Sequence, residues 1–378
     1  MRWSDRIVGQ QEIIDSFTSS VTNNQLSHAV IIEGVSGYGG LPISLALAEL
    51  ILCVNDDRPC GDCKACRQVQ SLIHPDLHIA FPVLAKEGMV RKNVTSKEFL
   101  TEWRELILDK PYTSYNDWIR SIAKSTANGD INVKECNDII QQLNMQAYSG
   151  DRKVQIIWIA DRLGSNGNKL LKLIEEPPAG TFIILIVDQL EFLLQTIISR
   201  CRVIRLPGIH ADAISDRLIS AHGVEQDQAQ QIGHISDGDF SQALAYIHMD
   251  QSNLMDLCIR WLSYCRDGDV HTLRQWSTEF SRYNLEEQKA ILHFFLKVMR
   301  SVIYARILGS DAIKLSAKDK ERLLSDPTMK TLDESIIENI SSIISEMMYM
   351  LERYVSGRMV ALDASLRIHQ AMRSKVMA

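Results

Sequence analysis

The sequence predicts an α/β domain of the phosphate-loop type, built on a parallel sheet, followed by a wholly helical remainder. Three observations carry this expectation. Short apolar strands alternate with amphipathic helices as far as Leu206, a glycine-rich turn joins the first strand to a helix, and beyond Pro207 only helical periodicity remains.

Ala29-Val30-Ile31-Ile32 is a short apolar run suited to a strand buried on both faces. It leads into Glu33-Gly34-Val35-Ser36-Gly37-Tyr38-Gly39-Gly40, and helical periodicity resumes from Leu41 to Cys53. Pro42 fits the first turn of that helix, where a missing N–H costs little. Residues 84–130 are polar and mixed, with one amphipathic stretch (Phe99, Leu100, Trp103, Leu106, Ile107), and are expected as a surface insertion. From Ile131 a helix is expected to about Tyr148, then a strand over Val154–Ile159. A helix across Lys169–Ile174 is stopped by Pro177-Pro178. The strand Thr181–Val187, a helix through Leu193–Ser199 and the strand Val203–Leu206 complete the series. A short helical unit then runs to about residue 250, followed by long apolar-periodic segments at 285–309 and 334–376. The expected domains are therefore 1–207, 208–250 and 251–378.

The chain has 378 residues, 46% of them hydrophobic and 23% charged, the balance of a globular protein of two or three domains. No run approaches the roughly 20 apolar residues that span a bilayer. The opening Met1-Arg2-Trp3-Ser4-Asp5 lacks the apolar core of a signal peptide, so a cytoplasmic location is expected and no membrane partner. There, eight cysteines are better read as thiols or metal ligands than as disulfides. The net charge of −6 disfavours a chain that grips nucleic acid alone, because phosphate neutralisation supplies most non-specific affinity. Any work on DNA is expected inside a larger assembly.

A strand, a glycine loop and a helix start form a phosphate cradle, since backbone N–H groups converge on an anion there. The working pattern, G-x-x-x-x-G-K-[ST], adds a Lys for the β/γ-phosphates and a hydroxyl for Mg²⁺. Gly34 and Gly39 hold the two glycine positions and Gly37 lies between them, but Gly40 stands at the Lys position and Leu41 at the hydroxyl position. The strand that should end in a magnesium-holding Asp reads Ile156-Ile157-Trp158-Ile159-Ala160-Asp161, with Trp158 and Ile159 where the acids belong. ATP chemistry is therefore not expected in this chain. Taken without its flanking strand and helix, Gly34–Gly40 is an ordinary glycine-rich turn.

Cys53, Cys60, Cys63 and Cys66 follow the spacing C-x6-C-x2-C-x2-C. Four thiolates complete a tetrahedral Zn²⁺ shell with no position for water, which is the structural arrangement. His74 and His78 are then not needed as ligands. Cys136, Cys201, Cys258 and Cys265 are scattered and read as packing residues.

In motif order, these segments resemble the delta-prime family of bacterial DNA polymerase III clamp-loader subunits, within the AAA+ class. The resemblance rests on Ile7-Val8-Gly9-Gln10, similar to the family's opening motif near the adenine pocket, and on Leu26-Ser27-His28-Ala29 before the first strand. The cysteine cluster followed by His74-Pro75-Asp76 resembles the family's zinc module. Ala160-Asp161-Arg162 and Asn168-Lys169-Leu170 through Glu175-Glu176-Pro177-Pro178 resemble the segment after its second acidic motif, and Thr196–Cys201 closes the set. The long stretch 84–130 departs from the family pattern. The resemblance implies that 208–250 is a helical lid and 251–378 a collar domain holding a pentamer together. The lid arginine that senses nucleotide in active relatives is replaced by Ser241, in Gly238-Asp239-Phe240-Ser241. The resemblance also implies that Arg200, within Ser199-Arg200-Cys201, is an arginine finger offered to a neighbouring ATPase subunit. Other clamp-loader subunits are then direct partners, and the sliding clamp and primer-template DNA are reached through the complex. Two other readings stay open: a subunit that still binds nucleotide as a switch or hydrolyses it slowly, and a zinc-dependent nucleic-acid-binding module.

Overall fold

The computed structural model describes residues 1–85, 93–123, 128–247, 249, 253–309, 315, 317–353 and 355–373. It divides into two compact units, Met1–His210 with Gly238–Ser241, and Ala211–Asp237 with Gln242–Ala378.

The first unit is built on a five-stranded sheet of β1 (Ala29–Glu33), β2 (Leu77–Ala80), β3 (Lys153–Ile157), β4 (Thr181–Val187) and β5 (Arg202–Arg205), in the spatial order β2-β3-β4-β1-β5. Every pairing is parallel, and Ile31 of β1 lies between Leu185 and Val203. The apolar runs of β1, β3 and β4 are buried because both faces of the sheet are covered. Alternation along β1 divides the core. Val30 and Ile32 join the helix Gly40–Leu52 on one face, while Ala29 and Ile31 join Leu143, Leu163, Ile174 and Ile197 on the other. This is the α/β architecture with a parallel sheet that the sequence predicts.

Several sequence expectations need correction. β2 was not anticipated; its run of four residues contains the polar His78 and is too short to show a period. β3 ends at Ile157, two residues early, because Ile159 turns into the left-handed region at φ 56°. A β-branched residue there is held only by strong packing, and Ile159 is 2% exposed. The expected helix at Lys169–Ile174 is a 3-10 stretch, Ala160–Leu170, running into a short α-helix, Leu171–Glu175.

The largest correction concerns residues 84–130, expected on the surface. Of these, 86–92 and 124–127 lie outside the described residues. The helices Leu100–Asp109 and Tyr115–Ile122 pack into the main core, with Trp103, Ile107 and Trp118 fully buried. Phe81 stacks on Trp103 at 5.1 Å and Trp158 meets Trp103 edge-on at 6.0 Å. The helices are amphipathic, so their polar faces dominate the composition while their aromatic faces complete the domain.

The second unit is helical throughout its described residues. Its expected long segments are the helix Leu285–Leu308 and the pair Glu334–Glu352 and Gly357–Arg373; residues 354 and 374–376 of the second segment lie outside the described residues. Trp261 stacks on Trp276 and Phe295 at about 5.5 Å and donates its indole N–H to Ser365 Oγ. Met347 of the Met-rich run is fully buried, whereas Tyr349 beside it is exposed. Among the described residues, no helix is long and apolar enough to cross a membrane.

Candidate functional site

The glycine loop leaves β1 at Glu33 and enters the helix Gly40–Leu52 through Gly39, at φ 94°. The residues at the expected Lys and hydroxyl positions both face the core. A Cβ on Gly40 would lie 3.1 Å from Ile186 Cγ2, and Leu41 is 4% exposed. Neither position presents a polar group to the loop.

The loop is covered by side chains of its own unit. Asp239 lays its carboxylate on Gly37, so that a Cβ there would lie 1.7 Å from Asp239 Oδ1. Ser241 Oγ donates to that oxygen at 2.5 Å. Tyr112 packs on Gly39, its ring 3.2 Å from where a Cβ would stand, and meets Phe240 edge-on at 4.9 Å. The Tyr112 hydroxyl accepts the N–H of Val8 at 2.7 Å. Ser36 Oγ donates to Asp188 Oδ1 at 3.2 Å, just after β4. Burial, and then the nearby charge of Asp161, push Asp188 up to about 7, and Asp239 adds in the same sense. Burial also raises Asp161, whose Oδ1 has no hydrogen-bond partner among the described residues. A loop that binds phosphate needs positive potential. The groups laid against this one are the carboxyls of Asp239 at Gly37 and Asp188 at Ser36.

The acidic environment gives a pH prediction. The raised Asp188 binds a proton in the folded state that the unfolded chain has already released at its ordinary value of 3.8. The resulting stabilisation is full below about pH 4 and is lost as pH rises through about 7. Asp188→Asn keeps an acceptor for Ser36 and removes the charge. Its melting temperature should rise by a few degrees at pH 8 and change little at pH 4.5. An equal shift at both pH values would contradict this electrostatic account.

Arg200 follows the short helix Gln195–Ile198 and precedes β5, an edge strand. Ile197 anchors that helix in the core, while the Arg200 side chain is 37% exposed. Its Nε donates to Glu175 Oε1, and its Nη1 donates to the Thr196 carbonyl at 2.9 Å and to Ser199 Oγ at 3.2 Å. Cys201 is half-buried, and burial pushes its thiol up to about 12, as suits a packing residue.

The four cysteines converge as their spacing suggested, all four sulfurs lying within 4.8 Å of one another. Cys53 Sγ is 3.7 Å from Cys60 and 4.0 Å from Cys63, and Cys60 is 3.9 Å from Cys66. Tetrahedral Zn–S bonds of about 2.3 Å put sulfurs about 3.8 Å apart, so the cluster fits such an ion. The N–H groups of Cys63 and Cys66 point at Cys60 Sγ and Cys63 Sγ, both at 3.4 Å. Backbone N–H groups of Cys63 and Asp62 bring Cys60 down to about 6, while burial pushes Cys53 and Cys66 up. A dication among them would hold all four as thiolates. The buried Glu49 ties the module to the core, accepting from Trp3 N–H at 2.9 Å and Gln70 Nε2 at 2.7 Å. His74 is not a ligand: Nδ1 accepts the Asp76 N–H and Nε2 meets Ser149 Oγ.

Sequence reading missed Tyr112, Asp188 and the contacts of Glu175. Asp239 lies within Gly238-Asp239-Phe240-Ser241, where the sequence marks only the missing arginine at Ser241.

Comparison with known proteins shows the family of the chain. A family model described as "DNA polymerase III, delta subunit" matches residues 9–210, more than half of the chain. The chain belongs to that family. Among curated relatives, the DNA polymerase III subunit delta' of Bacillus subtilis is 24% identical over 349 residues, covering 90% of this chain and 91% of the relative. The delta' subunit of Haemophilus influenzae is 30% identical over 203 residues, covering 53% and 49%. That of Escherichia coli is 24% identical over 285 residues, covering 73% and 70%. The glycine loop, the four clustered cysteines and Arg200 all fall inside residues 9–210, the segment matched by this polymerase III family.

Proposed function

We propose that this delta-prime family member is a non-hydrolysing clamp-loader subunit that supplies Arg200 in trans to the ATP site of an adjacent subunit. The observation that carries the reading is the glycine loop. It lacks the ammonium and hydroxyl that phosphate chemistry needs, and Asp239 lies on Gly37 in their place. Nucleotide would have to displace a buried carboxylate, that of Asp239, and then sit beside Asp188. This counts against the alternative of a nucleotide switch.

Arg200 supports the other half of the reading. A guanidinium keeps its charge at any working pH and offers forked donors to phosphate oxygens. When a γ-phosphoryl passes from ATP to water, negative charge spreads over its equatorial oxygens, and an arginine placed there stabilises it. The side chain is exposed at a sheet edge, and no hydrogen bond from Nη2 forms among the described residues.

The four thiols would hold one structural zinc, which fixes a loop of few buried side chains against Glu49 and Gln70. Residues 208–250 would form the helical lid and 251–378 the collar of a hetero-oligomer, and the sliding clamp and primed DNA would be met by the whole assembly. ATP turnover by reconstituted complexes carrying wild-type or Arg200→Ala chain tests the reading. Slower turnover with intact assembly supports it, and unchanged turnover overturns it.

A further inference from the structure

We infer that Glu175 is the positioning residue of Arg200, holding the guanidinium ready for the neighbour's phosphate; this rests on the reading of Arg200 as an arginine finger. The two residues stand 25 positions apart and meet because their short helices dock on one apolar cluster. Leu173 and Ile174 anchor the helix Leu171–Glu175, and Ile197 anchors the helix Gln195–Ile198. Both functional side chains therefore leave rigid bases. Pro177-Pro178 ends the first helix just beyond Glu175, so the carboxylate stands at a fixed helix end.

The donor pattern gives the pair its meaning. Arg200 Nε is bound to Glu175, and Nη1 to Thr196 O and Ser199 Oγ. These bonds fix the guanidinium plane from two sides and leave the two donors of Nη2 for a phosphate oxygen. A long side chain ordered before the neighbour arrives does not lose that freedom during the reaction, which is how pre-organisation speeds a step. The ion pair itself is 37% and 43% exposed, and such pairs contribute little to stability. Its effect should therefore appear in rate and not in folding. Glu176, the next acid, makes no ion pair with Arg200.

The test uses the reconstituted clamp loader, with steady-state ATP hydrolysis read over a range of ATP concentrations and assembly checked by size-exclusion chromatography. Glu175→Ala should lower kcat about tenfold with KM for ATP nearly unchanged. Glu175→Gln, which keeps the acceptor, should restore most of the rate, whereas Glu175→Lys should be at least as slow as Glu175→Ala. Glu175→Ala combined with Arg200→Ala should be no slower than Arg200→Ala alone. A normal rate for Arg200→Ala removes the finger reading itself. A slow Arg200→Ala beside a normal Glu175→Ala removes only the positioning role, as does a further loss in the double variant. Should Glu175→Ala fail to assemble, the Gln and Lys variants decide: equal rates overturn the inference.

Discussion

Replacing Arg200 by Ala is expected to slow hydrolysis at the adjacent ATP site about 10³-fold, the lower end of what arginine fingers contribute. The effect should be confined to the rate. Among the described residues Arg200 is bound only to Glu175, Ser199 and Thr196, all at exposed positions, so its removal leaves no buried charge behind. Arg200→Lys should recover little, because an ammonium cannot replace the three separate bonds that fix the guanidinium plane. Rapid-quench measurement of γ-phosphate release on assembled complexes checks both variants. A complex that assembles normally and hydrolyses at the wild-type rate would show that this arginine is an ordinary surface charge.

The second large effect concerns the thiol cluster. The purified chain should carry one zinc, and Cys66→Ser should retain less than a tenth of that. Residues 54–57 are exposed, and among 53–66 only Cys53, Gly61, Ala65 and Cys66 are buried. A loop with so little apolar burial has low local stability unless a metal closes it. Trypsin cleavage after Lys64 should therefore accelerate at least tenfold in Cys66→Ser or after chelation. The sheet, whose core is separate, should remain folded by circular dichroism. A zinc-free wild-type chain that resists trypsin as well as the loaded one would remove the structural role.

Features written in local spacing were legible in the sequence. The strand–glycine loop–helix unit, the four cysteines and the strand Thr181–Val187 each need only a few neighbouring residues to declare themselves. Contacts between distant segments were not. Tyr112 reaches Val8 and Gly39, and Asp239 reaches Gly37, only after the chain has folded, and neither residue type signals its partner. The helices at 100–109 and 115–122 were misplaced for a related reason. Their composition is polar on average, and only the sheet shows that Trp103 and Trp118 face inward. Ile159 at positive φ also broke the strand expectation, since packing overrode its β preference.

The most direct measurement is an equilibrium titration of the isolated chain with Mg²⁺-ATP, followed by calorimetry and by phosphate release. With Asp239 on the loop and no ammonium to draw a triphosphate in, no saturable binding is predicted up to millimolar ATP, and no turnover. Micromolar binding accompanied by hydrolysis, from a preparation free of contaminating ATPase, would contradict the account at its foundation.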